Sequence, residues 1–202
     1  MKVTLISKSD PSDTLKEEGI NSLGGMIAHA ARVSNPTNQF NFKTAPKLLQ
    51  YLMREGHWSP FEMVSMCLEI QTTRDIARQI IRHRSFSFQE FSQRYARVSG
   101  PPEYREARGQ DLKNRQNSVR LEDGPLHEEW RAKQEKAYWA SEVAYRWALN
   151  NGIAKEQARA VLPEGMTSST LYMSGTIRSW SHYAALRGGH GTQPEHIKIA
   201  QE

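Results

Sequence analysis

The amino-acid sequence predicts a mixed α/β fold (α+β) in which helices pack against a sheet. The segment 63–70 alternates apolar and polar residues, which is typical of a strand with one buried face. The segments 73–82 and 128–150 instead place apolar residues three or four positions apart, as amphipathic helices do. A chain of 202 residues is most simply one domain, and we expect that domain to cover residues 1–202.

Caps and turn residues delimit the elements of the first half. The predicted elements are a strand over 3–6, a helix over 25–33, a helix over 45–55, a strand over 63–71 and a helix that begins after Thr73. Thr44 and Thr73 are the predicted N-caps, and Gly56 is predicted to end its helix. The triplet Arg82-His83-Arg84 then falls at a helix C-terminus, where the backbone carbonyls favour cations.

The second half begins with residues 99–127, which we expect to form a surface loop because they are rich in Gly, Pro and charge and lack periodicity. The elements predicted after it are helices over 128–150 and 154–160, a strand over 169–174 and a helix over 177–187. In the long helix, Ala137, Ala140, Ala144 and Trp147 share one face. They predict a packing seam, either in the core or at an interface.

Charge and composition point to anionic ligands and to assembly. The net charge is +5, and 17 of the 27 basic residues are arginine, whose guanidinium binds phosphate in a bidentate geometry. This balance does not distinguish a small nucleotide from a nucleic acid. Leu, Ile, Val and Phe together make up just under a fifth of the chain, which is low for a self-sufficient core. We therefore expect burial between subunits.

Several classes of protein are excluded by what the sequence lacks. The single cysteine, Cys67, excludes an internal disulfide and a cysteine-rich zinc module, so we expect no metal. Neither a signal peptide nor an apolar run long enough for a membrane span is present, and we expect a soluble, cytoplasmic protein. The phosphate-binding patterns Gly-x-Gly-x-x-Gly and the Walker loop are also missing.

Residues 82–94 carry the strongest functional signal. They read Arg-His-Arg-Ser-Phe-Ser-Phe-Gln-Glu-Phe-Ser-Gln-Arg, so cations and hydroxyls are interleaved with three phenylalanines. Guanidinium groups donate paired hydrogen bonds to phosphate oxygens, and buried phenylalanines would hold the neighbouring arginines in place. The segment predicts a site for a phosphorylated, planar ligand. The alternative is a solvated basic face.

The segment also resembles a known family. Arg82-His83-Arg84, seven further residues and Ser92 form the Arg-His-Arg-x7-Ser pattern of the flavin-dependent thymidylate synthases (ThyX). Four further elements match that family in order, namely Ala30-Ala31-Arg32-Val33-Ser34, His57-Trp58-Ser59-Pro60-Phe61-Glu62, residues 158–163, and residues 178–187 followed by Thr192-Gln193-x-Glu195. The resemblance covers nearly the whole chain except about residues 99–127.

The resemblance implies a fold, a reaction and its cofactors. The ThyX-like fold packs helices around a mainly antiparallel sheet and assembles as a homotetramer with active sites between subunits. The implied reaction is the reductive methylation of dUMP to dTMP. In that family NADPH reduces FAD, methylenetetrahydrofolate supplies the one-carbon unit, and the reduced flavin supplies the hydride that completes the methyl group.

The resemblance also assigns site residues by position. The implied dUMP ligands are Gln79, Glu90, Ser92, Arg94, Arg159 and Arg187. The implied FAD contacts are Arg82, His83, Arg84, Arg178, Thr176, His182 and Ser59. The expected catalytic residues are Arg187, a polariser of the pyrimidine, His57, placed near flavin and folate, and Ser92, which we expect to bind substrate because no neighbouring base would activate it. No role is assigned to His29, His127, His190 and His196.

Three departures from the family pattern keep other functions open. Thr176 and His182 stand where asparagine is common, and the chain ends at Glu202 where many relatives continue with a helical tail. One alternative is therefore a catalytically inactive nucleotide-binding relative. Another is a nucleic-acid-binding module in which Phe86, Phe88 and Tyr95 stack on bases.

Overall fold

The computed structural model describes residues 1–189 and 191–202. The strands are β1 (Lys2–Lys8), β2 (Ser65–Thr73), β3 (Ser87–Glu90), β4 (Arg108–Gln110), β5 (Ser118–Arg120) and β6 (Ser168–Thr176). The helices are α1 (Asp13–Glu17), α2 (Leu23–Ala31), α3 (Ala45–Arg54), α4 (Arg74–Ile80), α5 (Pro125–Asn150), α6 (Lys155–Ala158), α7 (Ile177–Arg187) and α8 (Pro194–Gln201). No helix in these two ranges is long and apolar enough to cross a membrane.

A four-stranded antiparallel sheet in the order β1-β2-β6-β3 forms the centre of the fold. Strands β2 and β6 pair along their whole lengths, from Ser65 opposite Thr176 to Thr73 opposite Ser168. Strand β3 adds to the other edge of β6, with Ser87 opposite Ser174. The predicted combination of helices with a mainly antiparallel sheet is confirmed.

The main core lies between this sheet and helices α4, α7 and α8. Its buried side chains are Ile70, Ile76, Ala77, Ile80, Leu171, Met173, Trp180, Tyr183 and Ile199. Full burial of one Ile, Leu or Met side chain stabilises the fold by roughly 1.5–3 kcal/mol. The packing therefore fixes the ends of α4 and α7, from which most of the predicted site residues project.

The long helix α5 buries only one narrow face. Gln134, Tyr138, Tyr145 and Ala148 are buried, whereas the predicted seam of Ala137, Ala140, Ala144 and Trp147 is exposed. The core alternative for that seam is wrong, because the buried stripe lies at other helix positions. Trp139 and Val143 are exposed beside it, at 59% and 66%. One side of α5 is therefore apolar and uncovered in the single chain.

The segment before β4 is tied to α5 and α4 by polar contacts. The Arg105 backbone N–H donates to Gln134 Oε1 (2.8 Å), and the Gln134 side-chain amide donates back to the Arg105 carbonyl (2.9 Å). The Arg105 guanidinium pairs with the Asp75 carboxylate at 2.9 Å. Residues 99–127 are thus anchored at Arg105, and they contain the β4–β5 hairpin where the sequence predicts only a loop.

Thr44 and Thr73 occupy the predicted N-cap positions of α3 and α4, but neither hydroxyl makes the capping hydrogen bond, for a shared physical reason. Thr44 makes no capping hydrogen bond, and its hydroxyl instead accepts from the Arg32 guanidinium at 2.7 Å. The Thr73 hydroxyl donates to Asp75 Oδ1 at 2.5 Å rather than accepting from the backbone of α4. Charged groups, distant or neighbouring in sequence, thus form hydrogen bonds with hydroxyls that the sequence spacing assigns to helix capping.

Candidate active site

The segment that follows α4 is held by its phenylalanines. The Phe86 ring lies 4.8 Å from the Trp180 ring in a T-shaped contact, and Phe88 also packs against the main core. Phe86 occupies the space beside Gly175, where an added Cβ would lie 2.8 Å from its Cε1 atom. Because both rings pack against the core, exposed Tyr95 is left as the remaining stacking residue of the three that the nucleic-acid-binding alternative requires.

The arginines of the triplet point away from that core. Arg82 and Arg84 are exposed, and in the described part of the chain neither has a carboxylate partner. Helix α4 ends directly before them, as predicted. Two guanidinium groups are therefore free to bind an anion, and they are anchored by packed residues on both sides.

His83, between them, turns inward and contacts Arg187. Arg187 Nε donates to His83 Nε2 at 2.9 Å, across more than a hundred residues of sequence. Burial, together with the charge of Arg187, holds the pKa of His83 below its usual value. A neutral imidazole can accept this hydrogen bond, so His83 orients the guanidinium of Arg187 and leaves the terminal nitrogens to other partners.

His83 belongs to a buried polar group that we call the helix-end cluster. Its members are Gln79, His83, Tyr183, Arg187 and His196. The Tyr183 hydroxyl lies 2.9 Å from His196 Nε2, and His196 Nδ1 lies 3.3 Å from Gln79 Oε1. The Gln79 amide donates to Gln193 Oε1 at 2.8 Å. The cluster joins α4, α7 and α8.

A separate concave surface, the arginine cavity, is lined by Arg74, Arg78, Gln93 and Arg159 and has a volume of about 380 Å³. Gln93 is only 4% exposed, and its Nε2 atom has no hydrogen-bond partner. A buried donor without an acceptor costs roughly 1–3 kcal/mol. The lining also contains Glu156 and Glu164, and Arg74 and Arg78 are paired with Glu90 and Glu164, so Arg159 is the lining guanidinium without an ion-pair partner in the described chain.

Three predicted dUMP ligands lie at the edge of the arginine cavity. Glu90 accepts hydrogen bonds from Arg74 (3.2 Å) and from the Ser169 hydroxyl (2.8 Å). Arg94 pairs with Glu156, a cavity-lining residue, at 3.0 Å, and both side chains are largely exposed. The Ser92 side chain is exposed, and among the described residues no histidine or carboxylate hydrogen-bonds to its hydroxyl.

The remaining predicted residues gather where the turn Ser59–Glu62 meets α7, a surface that we call the aromatic turn. The His182 ring lies 4.4 Å from the Trp58 ring, and Arg178 forms an ion pair with Glu62. Ser59 and His57 are exposed on the same turn. Thr176 is the N-cap of α7, because its hydroxyl accepts from the Ser179 backbone at 3.3 Å. Threonine and asparagine are both good caps, so this departure preserves the helix start.

Within one chain the contacts of the predicted residues form three groups. Arg94, Glu90 and Arg159 border the arginine cavity, Gln79, His83 and Arg187 form the helix-end cluster, and Ser59, Arg178 and His182 lie at the aromatic turn. His190 lies outside the described residues.

Comparisons with known proteins agree over nearly the whole chain. Residues 22–202 match the family model described as thymidylate synthase complementing protein. A relative from Paramecium bursaria Chlorella virus 1, a probable flavin-dependent thymidylate synthase, is 52% identical over 200 residues, covering 99% of this chain and 90% of its own. The flavin-dependent thymidylate synthase of Synechocystis is 51% identical over 201 residues, covering 99% and 91%. This chain belongs to the flavin-dependent thymidylate synthase family.

The fold of this flavin-dependent thymidylate synthase is also that of a solved structure. The crystal structure of the UMP/dUMP methylase PolB from Streptomyces cacaoi, bound with 5-Br dUMP, superposes with a TM-score of 0.80 at 28% identity. The alignment covers 99% of this chain and 86% of that chain. The agreement extends the family assignment from sequence to architecture.

Two polar residues of this flavin-dependent thymidylate synthase lie in the site without any assignment from the sequence. His196 is completely buried and bonded through both ring nitrogens, and Gln93, which lines the arginine cavity, has a buried amide nitrogen without a hydrogen-bond partner. Sequence reasoning gave His196 no role, because a lone histidine is most often a surface or hydrogen-bonded residue. The only available signal was position, since both residues lie within or beside the family motifs.

Proposed function

We propose that this chain is a flavin-dependent thymidylate synthase that converts dUMP to dTMP by reductive methylation, with FAD as cofactor and methylenetetrahydrofolate and NADPH as co-substrates. The observation that carries the proposal is the identity of just over half to synthases of this family across 99% of the chain. Free guanidiniums at the family's Arg-His-Arg positions support it.

The donor set fits a flavin dinucleotide. Arg82 and Arg84 offer forked donors, free of acid partners in the described chain, to a pyrophosphate, and Arg178 is a third exposed cation. Arg178 is held by Glu62, and His182 packs on Trp58, so both groups are ordered before any ligand binds. FAD would supply the hydride after its own reduction by NADPH. The protein's part is to bind, orient and polarise.

We assign the nucleotide phosphate to the arginine cavity. Arg159 has no ion-pair partner in the described chain and the Gln93 amide is unpaired, so we assign both as donors, whereas Arg74 and Arg78 are already paired with Glu90 and Glu164. The exposed pair between Arg94 and Glu156 contributes about 0–1 kcal/mol, so a dianionic phosphate can replace the carboxylate at Arg94 at small cost. Ser92 and Glu90 would then bind the remainder of dUMP from the cavity edge.

Arg187 is our candidate for polarising the pyrimidine. Attack on the uracil ring, or loss of a proton from it, places negative charge on the carbonyl oxygens, which a fixed cation stabilises. Neutral His83 occupies Arg187 Nε, which leaves the terminal nitrogens to bind a ligand. Ser92 lacks a base in the described residues and acts as a substrate ligand rather than a nucleophile. We assign His57, which is exposed beside the aromatic turn, to contacts with flavin and folate on the resemblance.

We further propose that the protein works as a homo-oligomer, a tetramer by resemblance, with active sites shared between subunits. The apolar side of α5 is uncovered in the single chain, which supports assembly. Val143→Glu, at an exposed position, should lower the mass measured by light scattering without lowering the helix content, whereas Lys136→Glu on the same helix should not. An unchanged mass for Val143→Glu would remove α5 from the interface.

Mixing tests the shared sites. Arg94→Gln and Arg187→Gln should each be nearly inactive alone. If the two residues serve one site from different subunits, subunit exchange between the variants creates some sites with both arginines intact, and activity should partly return. No recovery, with exchange confirmed by mass spectrometry, would contradict shared sites.

The deciding experiment is direct turnover. Purified protein with FAD, NADPH, methylenetetrahydrofolate and dUMP should form dTMP, and omission of FAD from flavin-free protein should abolish the product. UMP should be tested in parallel, because the structural neighbour is a UMP/dUMP methylase. Retained flavin without any methylated nucleotide would identify an inactive relative, and absence of flavin binding would refute the proposal.

A further inference from the structure

His196 occupies the centre of the helix-end cluster and uses both ring nitrogens. It lies on α8 with no exposed surface, between Tyr183 of α7 and Gln79 of α4. The ring also packs against Tyr183, with centroids 5.7 Å apart. A neutral imidazole donates through one ring nitrogen and accepts at the other, so the orientations of its two polar partners select the tautomer.

The neighbours determine that arrangement. Gln79 uses its amide nitrogen to donate to Gln193 Oε1, so Gln79 Oε1, an acceptor, faces His196 Nδ1. Nδ1 must therefore carry the proton. Burial, together with the charge of Arg187, lowers the pKa of His196 to about 4, so the ring is neutral near pH 7 and Nε2 is an acceptor. The Tyr183 hydroxyl supplies the proton of that bond.

The result is one directed chain of hydrogen bonds. Tyr183 donates to His196, His196 donates to Gln79, and Gln79 donates to Gln193. Burial raises the pKa of Tyr183, so its hydroxyl remains a donor throughout the neutral range. A carboxamide looks nearly the same after a half turn, and only its partners decide which end faces the ligand. His196 removes that freedom from Gln79.

We propose that His196 is a positioning residue of the nucleotide site, which in its Nδ1–H form fixes the orientation of the Gln79 carboxamide and links α8 to the helices that carry the triplet and Arg187. The inference rests on the proposed function, because it takes Gln79 as a dUMP ligand. It adds a residue that acts through Gln79 rather than by touching the substrate.

Matched variants separate positioning from packing. His196→Phe fills the volume without polar atoms, His196→Asn keeps a donor near the Nδ1 position, and Tyr183→Phe removes only the other partner. Leaving the Gln79 oxygen unpaired should weaken dUMP binding of His196→Phe about tenfold by calorimetry. His196→Asn and Tyr183→Phe should stay within about threefold of the wild type. FAD content and the melting temperature report the integrity of each protein.

The outcomes are distinct. Folded His196→Phe that binds dUMP as well as the wild type, or His196→Asn that binds as weakly as His196→Phe, would overturn the positioning role. If His196→Phe does not fold, ¹⁵N chemical shifts of the wild-type ring, assigned by comparison with His196→Asn, decide the matter. A protonated Nδ1 with a bare Nε2 supports the inference and the reverse form refutes it. Wild-type protein that fails to bind dUMP would instead refute the proposed function, and the inference with it.

Discussion

A single hydrogen bond controls how Arg187 can act. A guanidinium on a flexible side chain samples many directions, and ordering it costs up to about 2 kcal/mol of rotamer entropy. His83 bears part of that cost in advance, because it accepts from Arg187 Nε at 2.9 Å while the ring is held against Tyr183. The sequence shows both residues but not their contact, since 104 positions separate them.

We expect Arg187→Gln to lower kcat for dTMP formation by about 10²–10³, the usual effect of losing one group that stabilises developing charge. The melting temperature should change little, because Arg187 is only partly buried. Arg120→Gln, at an exposed hairpin position, is the matched control and should keep full activity. Equal rates for Arg187→Gln and the control would remove Arg187 from the chemistry.

We expect the unpaired amide of Gln93 to lower the stability of the fold and to strengthen the binding of dUMP. In Gln93→Leu the unpaired amide is replaced by an apolar group of similar size, so the melting temperature should stay equal or rise. The dissociation constant for dUMP should increase about tenfold, because a donor to the phosphate is lost. Calorimetry and thermal unfolding on the same preparations test both parts. A lower melting temperature with unchanged affinity would mean that the amide serves the fold alone.

Among individual residues, the sequence identified those within the family motifs and missed those whose role depends on distant partners. Arg82 and Arg84 were accessible to pattern reasoning because three adjacent residues form the signal. His196 was not, because its bonds to Gln79 and Tyr183 span 117 and 13 positions and no spacing rule connects them. The roles of the predicted site residues remain predictions.

At the scale of elements, α5 holds the segment before β4 through Gln134. Its side chain satisfies both the backbone N–H and the carbonyl of Arg105 while being 4% exposed. Gln134→Leu should therefore destabilise the protein by roughly 1–3 kcal/mol in urea unfolding, since both backbone groups lose their partner. Gln116→Leu, at an exposed position, should change stability by less than about 0.5 kcal/mol. Equal stabilities would show that water replaces the Gln134 contacts.

Helix boundaries were predicted well where the sequence contains both a cap and an end. The helix predicted over 177–187 is Ile177–Arg187, with Thr176 as its cap. Strand β3, helix α8 and the β4–β5 hairpin were not predicted as elements, because each is short or polar and depends on its neighbours. Register and strand order in the sheet arise from long-range pairing, which local periodicity does not encode.

For the whole molecule, His196 links stability to pH. Its folded pKa of about 4 lies below the unfolded value of 6.5, so the unfolded chain binds a proton that the folded chain excludes. Stability should be independent of this group above pH 6.5 and should fall by about 3 kcal/mol as the pH decreases from 6.5 to 4. Urea unfolding at several pH values should show a smaller loss in His196→Asn. The same loss in both proteins would assign the acid sensitivity to other groups.

The low aliphatic content of the chain and the uncovered apolar side of α5 both support the proposed assembly. Trp139, Val143 and Trp147 are each more than half exposed, at successive four-residue intervals on one helix. Composition alone indicated that the core would be incomplete, but it could not indicate which surface completes it. Only the structure shows that α5 exposes an apolar face to solvent in addition to its polar face.

The contact between Phe86 and Gly175 limits which substitutions the two positions can accept. The ring fills the place of a side chain on β6, and it also holds the chain just beyond Arg84. A single substitution at either position should lower the stability of the fold. Alanine at position 175 would clash with the Phe86 ring, and a small residue at position 86 would leave a void. Gly175→Ala should therefore be tolerated only together with a smaller residue at position 86. We expect the two positions to covary.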